Sequence, residues 1–442
     1  MRQRFARLLI APFVVALVGI PGCAPASEPV PPARSLTVVL CRSLSARQVA
    51  DGALPSATAL AARGASALVA RSVRGHEPLA DAVARAGVRV VQAGDGAADP
   101  KGADAAIART VREDPEGAVL VVSESSDGGH GFVMVAGPAI EPGLLASTNA
   151  HAAGVLAADD VASLALLLAG DGGGRGGVEV VPSRGTDAMQ RLARLEAYYG
   201  AARAAQTPTV VAFGVLAGLS VLGLWGLAAA ADSAKARYWR LVANRSLLFA
   251  LCLPPATLLS RLVDRYPQDP ARVLVLVLGV AGATWLAMSA VLERRGAAAG
   301  VVAASALTAI VLAADQFAGA PLAPGTAFSY SPLDGFRYYG MGNEGAALLV
   351  GSWLAAAALS SEVDKRFRWL PWTVAGGLFA LVVAALPVFG ANSAVALWGT
   401  VTMGVFVVEA ARRRVRVRDA AWIAAAAGCA VGLVVAAERL FG

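Results

Sequence analysis

The sequence predicts two fold classes in one chain: an α/β domain, then an all-α polytopic bundle of about eight membrane-spanning helices. Three observations lead there. Of 442 residues, 57% are hydrophobic and 16% charged, against the quarter or so of charged residues usual in soluble chains. Up to about residue 206, short apolar runs alternate with helical patterns. Beyond it, eight apolar runs of spanning length follow one another. The mean hydropathy is accordingly positive, at +0.60.

The net charge of +7 is unevenly placed, since Ala24–Gln206 holds 16 basic and 19 acidic residues. The basic excess therefore sits in the first turns and in the apolar half. That is topogenic charge, and no nucleic-acid partner is expected from it. The four cysteines, Cys23, Cys41, Cys252 and Cys429, show no metal-type spacing. Cys252 and Cys429 lie inside apolar runs, where a thiol acts as a small hydrophobe. Only Cys23 and Cys41 could meet outside a membrane.

Met1–Arg7 carries three arginines, and Leu8–Ile20 has no charged or polar side chain. This is the pattern of a secretory signal. Val18-Gly19-Ile20-Pro21-Gly22-Cys23 resembles a bacterial lipoprotein box, with Ile20 and Pro21 departing from the usual pattern; an uncleaved signal anchor is the alternative. Residues 1–23 are thus a signal peptide or anchor, and either sends residue 24 onward across the membrane. Proline-rich Ala24–Arg34 reads as a tether.

Residues 24–206 read as the extracytoplasmic domain. Leu36–Cys41 is an expected buried strand and Ser45–Arg63 an expected helix. Ala67–Ala70 and Val88–Gln92 are strands flanking a helix near Pro78–Ala86. Ala105–Arg112 is helical, while Ala118–Ser123 and Phe132–Ala136 are strands. Asp160–Ala169 is helical, Val178–Val181 a strand, and Asp187–Ala205 a helix leading into the apolar half. Strands separated by helices predict a mostly parallel sheet covered on both faces. The glycine-rich stretch Gly170–Gly177 lacks the Lys-Ser/Thr ending of a phosphate loop and reads as a turn.

Several of these segments resemble the alkaline phosphatase and phosphoglycerate mutase superfamily. Thr37-Val38-Val39-Leu40-Cys41 with Leu44 is similar to its first strand, and Leu54-Pro55-Ser56-Ala57-Thr58-Ala59-Leu60 with Gly64-Ala65 to the following "LPNL" helix. Val133–Ile140 resembles its late strand and loop, and Asp159–Leu164 the helix reading "D(I/L)APT(I/L)L". The resemblance implies an alkaline-phosphatase-like domain. Active members use a Ser or Thr nucleophile beside two divalent metals held by Asp and His. Here Cys41 stands where the first metal-binding Asp is expected. Only three histidines exist, His76, His130 and His151. Asp127 and His130, with His151, are the weak metal candidates, and no spacing singles out Ser72 or Ser126 as nucleophile. A catalytically degenerate domain is expected; a divalent metal is implied only if it is active.

Residues 207–442 read as the transmembrane domain. Its apolar runs are Thr209–Ala231, Leu247–Leu262, Val273–Leu292, Ala298–Ala314, Gly345–Leu359, Leu370–Phe389, Ala394–Ala410 and Ala421–Ala437. Alternate loops carry Lys235, Arg237, Arg240 and Arg245, then Arg294 and Arg295, then Lys365, Arg366 and Arg368, and finally Arg412–Arg414, Arg416 and Arg418. The positive-inside rule puts these in the cytoplasm. That orientation agrees with the one implied by the signal. The localisation expected is a bacterial cytoplasmic membrane, with membrane lipid as a partner.

The longest connector, Asp315 to about Gly342, is expected outside. Its Gly335-Phe336-Arg337-Tyr338-Tyr339-Gly340-Met341-Gly342, followed by Asn343-Glu344, resembles the "RFYGIGNE" segment of a bacterial multi-span membrane-protein family with an alkaline-phosphatase-like ectodomain. Phe389-Gly390-Ala391-Asn392 is similar to that family's second motif, "GAN". The resemblance implies architecture more than chemistry. The candidate substrate-binding residues are Arg337, Tyr338, Tyr339, Asn343, Glu344 and Asn392. Polar groups at the outer ends of spans are costly unless paired or facing water. Arg337 is suited to hold a phosphate and Glu344 to act as base or ion ligand. Structural roles are open to each as well. Asn343 suits a helix cap and Glu344 a first turn, the tyrosines an interfacial belt, and Arg337 a snorkelling position.

Three functions fit. The first is binding or transfer of a phosphate-bearing or lipid-linked substrate at the outward membrane site. The second is transport along a polar path through Glu344 and Arg337, against which the span interiors hold almost no charge. The third is a metal-dependent ectophosphatase.

Overall fold

The computed structural model describes residues 28–42, 44–70, 88–93, 99–124, 131–147, 150, 152–170, 177–183, 185–229, 234–334, 340–363, 369–387, 389–411 and 414–441. The signal segment, Cys23 and the helix expected near Pro78–Ala86 lie outside the described residues. The chain divides into two compact units. One comprises Cys23–Gly200 and Ser331–Tyr339, the other Met1–Gly22, Ala201–Tyr330 and Gly340–Gly442.

The first unit is built on a nine-stranded sheet. Its strands are β1 (Glu28–Pro29), β2 (Leu36–Arg42), β3 (Ala65–Val69), β4 (Arg89–Gln92), β5 (Ala118–Glu124), β6 (Gly131–Ala136), β7 (Gly143–Ser147), β8 (Val155–Leu156) and β9 (Val178–Pro182). They lie in the order β1-β9-β7-β3-β6-β5-β2-β4, with β8 beside β3. The sheet is mixed, which corrects the expectation of a mostly parallel one. β2 runs parallel to β4 and β5, and β3 to β7 and β8. β6 runs antiparallel to both its neighbours, as does β9. The reason lies in loop length. β5 ends at Glu124 and β6 begins at Gly131, a connection too short for a crossover helix, so the pair closes antiparallel. Glu28–Pro29, inside the expected tether, is paired with β9, and Val30 beside it is buried.

Both faces of the sheet are covered. Val38, Leu120, Val133 and Val135 pack with Val161, Leu164 and Leu168 of α4 (Ala158–Leu168). The alternate residues Val39, Val121 and Met134 point to the other face and are also buried, as are Leu60 of α2 (Pro55–Ala62) and Ile107 of α3 (Pro100–Glu113). The single helix expected over Ser45–Arg63 is two, α1 (Ala46–Ala50) and α2. Gly52 has φ +71°, a left-handed conformation that stops α1. Pro55 then opens α2 and holds Leu54 out of the helical region.

The second unit is helical. α5 (Gly185–Ala229) contributes its first part to the sheet-bearing unit and its remainder here. It is followed by α6 (Ala234–Val263), α7 (Pro270–Arg295), α8 (Ala297–Phe317), α9 (Asn343–Val363), α10 (Trp369–Ala385), α11 (Ser393–Ala410) and α12 (Val417–Phe441). Among the described residues, six stretches are long and apolar enough to cross a membrane: Asp187–Gly226, Ala236–Val263, Pro270–Arg295, Ala297–Phe317, Ser393–Ala410 and Val417–Arg439. Leu370–Ala385 is apolar but shorter. Val221, Trp225, Val275, Leu286, Trp422 and Leu433 face outward, a surface suited to hydrocarbon rather than water.

One proline inside these helices is repaired by a hydroxyl from a neighbouring helix. Pro255 has no N–H for the carbonyl of Leu251, and the Thr308 hydroxyl of α8 donates to that carbonyl at 2.9 Å. Pro254 and Pro255 both lie within this 30-residue helix.

Candidate functional site

The two motif segments, 49 residues apart at Asn343 and Asn392, meet in the helical unit. Gly340 has φ +80°, and a Cβ there would stand 2.3 Å from the Gly390 carbonyl oxygen. Only glycine allows that approach. The Met341 N–H then donates to the same carbonyl at 2.6 Å. Gly390 in turn folds back over the end of α10, its N–H donating to the Val383 carbonyl at 2.8 Å. Ala391 follows at φ +49°, and the Asn392 N–H reaches the Ala384 carbonyl at 3.0 Å.

Asn392 is 1% exposed. It occupies the N-cap position of α11, yet its side chain makes no cap hydrogen bond. Instead Nδ2 donates to the Met341 carbonyl at 3.1 Å and to Asn343 Oδ1 at 2.9 Å. The first turns of α9 and α11 are thereby tied side by side. Asn343, Glu344, Ser393 and Ala394 on those turns are exposed. Each helix start carries roughly half a positive charge and N–H groups without intrahelical partners. Glu344 is tethered by Tyr330, whose hydroxyl donates to Oε1 at 3.3 Å. The Tyr330 ring lies over Gly342, where a Cβ would come within 2.6 Å of it.

A second set of polar residues at this end was missed by sequence reasoning. Asp315, fully buried, accepts from the N–H of Leu322 at 2.8 Å and of Ala323 at 3.0 Å. Arg261, also buried, donates from Nη1 to the carbonyls of Leu322 at 2.7 Å and Pro324 at 3.0 Å. Two opposite charges, from α8 and α6, grip one turn. Leu322 shares a core cluster with Met341, and Phe317 stacks on Phe389 at 5.2 Å, so the gripped turn supports both motif segments. The signal was present as Asp315-Gln316 closing a helix otherwise free of charge.

Of the remaining candidates, Arg337, Tyr338 and Tyr339 lie outside the described residues, as do Asp127, His130, His151, His76, Ser72 and Ser126. Cys41 is described. Its thiol is buried and donates to the Val122 carbonyl at 3.6 Å. Burial pushes its pKa up from 9.0 to about 11, against a smaller lowering from Ser123. Where the resemblance expects a metal-binding aspartate, this strand end carries a protonated thiol already hydrogen-bonded to backbone. Asp160, in the segment similar to the "D(I/L)APT(I/L)L" helix, is buried and accepts from the Ala157 N–H at 2.8 Å and the Ser147 hydroxyl at 2.5 Å, closing the start of α4. Among the described residues no group of three His, Cys, Asp or Glu side chains is placed to hold a metal. Comparison with protein-family models, with curated proteins and with solved structures found no match.

Proposed function

We propose that this chain is a multi-pass envelope membrane protein that binds or transfers a phosphate-bearing or lipid-linked substrate at an outward-facing site formed by Gly340–Glu344 and Gly390–Ser393. In this reading all eight helices α5–α12 cross the membrane, the sheet-bearing domain is extracytoplasmic, and the arginine-rich connectors are cytoplasmic. The observation that carries the reading is the side chain of Asn392. It leaves its own helix uncapped and joins that helix start to another through Asn343. Two exposed helix starts then present N–H groups and partial positive charge together, which favours an anion such as phosphate. Glu344, on the same turn, supplies a base, and Arg337 a bidentate phosphate contact.

The test uses the full chain in nanodiscs with inorganic pyrophosphate as the probe, followed by calorimetry. Arg337→Ala is expected to weaken binding at least tenfold, while Glu344→Gln keeps binding. Unchanged pyrophosphate affinity in Arg337→Ala, or no binding at millimolar concentration to the unmodified chain, overturns the proposal.

A further inference from the structure

We infer that α6 and α7 hold an anionic group, a lipid-headgroup phosphate or a free phosphate, between Arg245, Trp285 and Ser289. Trp285, Ser289 and Glu293 are spaced one helical turn apart on one face of α7, with roughly 6 Å between successive Cβ atoms. Arg245 of α6 spans this face. Its Nη2 pairs with Glu293 Oε1 at 2.7 Å, and its guanidinium carbon lies 5.6 Å from the centre of the Trp285 ring. Ser289 sits between those two contacts along the helix.

Ser289 is 4% exposed, and both its hydroxyl and the indole N–H of Trp285 are buried without a hydrogen-bond partner. Ser305 Oγ and Gln316 Oε1 of this unit are likewise unpartnered, but among the described residues only Trp285 and Ser289 lie one turn apart beside an arginine. The hydroxyls of Ser220, Ser246 and Thr284 each return to the carbonyl four residues back. Buried indole N–H groups likewise normally find an acceptor.

The three groups are complementary to one kind of ligand. An indole N–H, a hydroxyl and a guanidinium are all donors, and the missing element is an acceptor with several lone pairs. A phosphate supplies it and offsets the arginine charge. Access is at hand, because the Arg245 side chain is 31% exposed and its ion pair with the 63% exposed Glu293 carboxylate is weakly held. These residues lie in the half of α7 that ends in Arg294 and Arg295, the level at which lipid phosphates collect basic residues.

Two arms test this on the full-length chain in nanodiscs. In the first, native mass spectrometry measures retained phosphatidylglycerol against phosphatidylcholine. In the second, inorganic phosphate is titrated in neutral lipid. Ser289→Ala and Trp285→Phe are each expected to lower anion binding about tenfold, as for a lost hydrogen bond to a charged group. Ser246→Ala, whose hydroxyl already bonds the Val242 carbonyl at 2.6 Å, leaves binding unchanged. A fall in phosphatidylglycerol retention identifies the lipid as the source, and a fall in phosphate affinity identifies the free anion. If both quantities are the same in the unmodified chain, Ser289→Ala and Trp285→Phe, the inference is wrong.

Discussion

Replacing Asn392 separates the buried half of its hydrogen bonding from the exposed half. Its Nδ2 serves the carbonyl of Met341, which is buried, and Oδ1 of Asn343, which is exposed. In Asn392→Ala, water can reach the Asn343 oxygen but not the Met341 carbonyl. Leaving one buried acceptor unsatisfied costs about 1–3 kcal/mol, whereas losing a partner at an exposed amide costs about 0.5 kcal/mol or less. Asn392→Asp is worse than alanine, because it turns a carboxylate toward two oxygens and buries its charge. The expected order of destabilisation is Asn392→Asp, then Asn392→Ala, then Asn343→Ala close to the unmodified chain. In a background with Cys23, Cys41 and Cys429 replaced by alanine, a maleimide fluorophore reads this out during thermal unfolding by reacting with the buried thiol of Cys252 as the helices open. If Asn343→Ala falls as far as Asn392→Ala, the Met341 carbonyl is not the partner that matters, and the account of the junction fails.

Other substitutions probe the same logic elsewhere. Thr308→Val strips the Leu251 carbonyl of the donor that replaces the Pro255 N–H and is expected to cost about 1–2 kcal/mol in the same assay, with Thr308→Ser recovering most of it. Gly340→Ala sets a Cβ against the Gly390 carbonyl at a left-handed φ; a loss of about 3 kcal/mol or more is expected, visible as failure to accumulate folded protein. At Cys41 the folded state favours the protonated thiol. That stability is whole below about pH 9 and declines as pH rises toward 11, by about 3 kcal/mol in total for the shift from 9.0 to about 11. Unfolding midpoints between pH 8 and 11 should therefore fall less steeply in Cys41→Ala than in the unmodified chain.

The helices of the second half were legible because most of the apolar runs are long, six of them enough to cross a membrane among the described residues. Their limits were less so. The expected Asp187–Ala205 helix and the apolar run that starts at Thr209 belong to one helix, Gly185–Ala229, which continues through Pro208. In the sheet, the apolar runs gave most strands but not their direction. The six residues between Glu124 and Gly131 were sufficient to predict an antiparallel pair, and the alternating pattern of strands and helices masked them. β7 and β8 were missed: β7 has a short apolar run beside a glycine, and β8 has only two residues. The motifs located Asn343 and Asn392, whereas their direct hydrogen bond depends on how α10 returns the chain, which no local spacing encodes.

The buried charges clarify which polar groups at this end remain for chemistry. Asp315 and Arg261 are as deeply buried as any ionisable pair described, and by depth alone they would be the leading functional candidates. Their hydrogen bonds point elsewhere: both oxygens of Asp315 and Nη1 of Arg261 are committed to backbone groups of Leu322–Pro324. A charge so committed fixes the shape of a turn and has little left to offer a ligand. Glu344 and Asn343 differ, being exposed on a first helical turn with one neighbour each among their side-chain contacts. The interior pair thus builds the platform on which the exposed pair stands. Glu344 and Asn343 are open to a ligand because they are exposed, whereas the more deeply buried pair is spent on backbone.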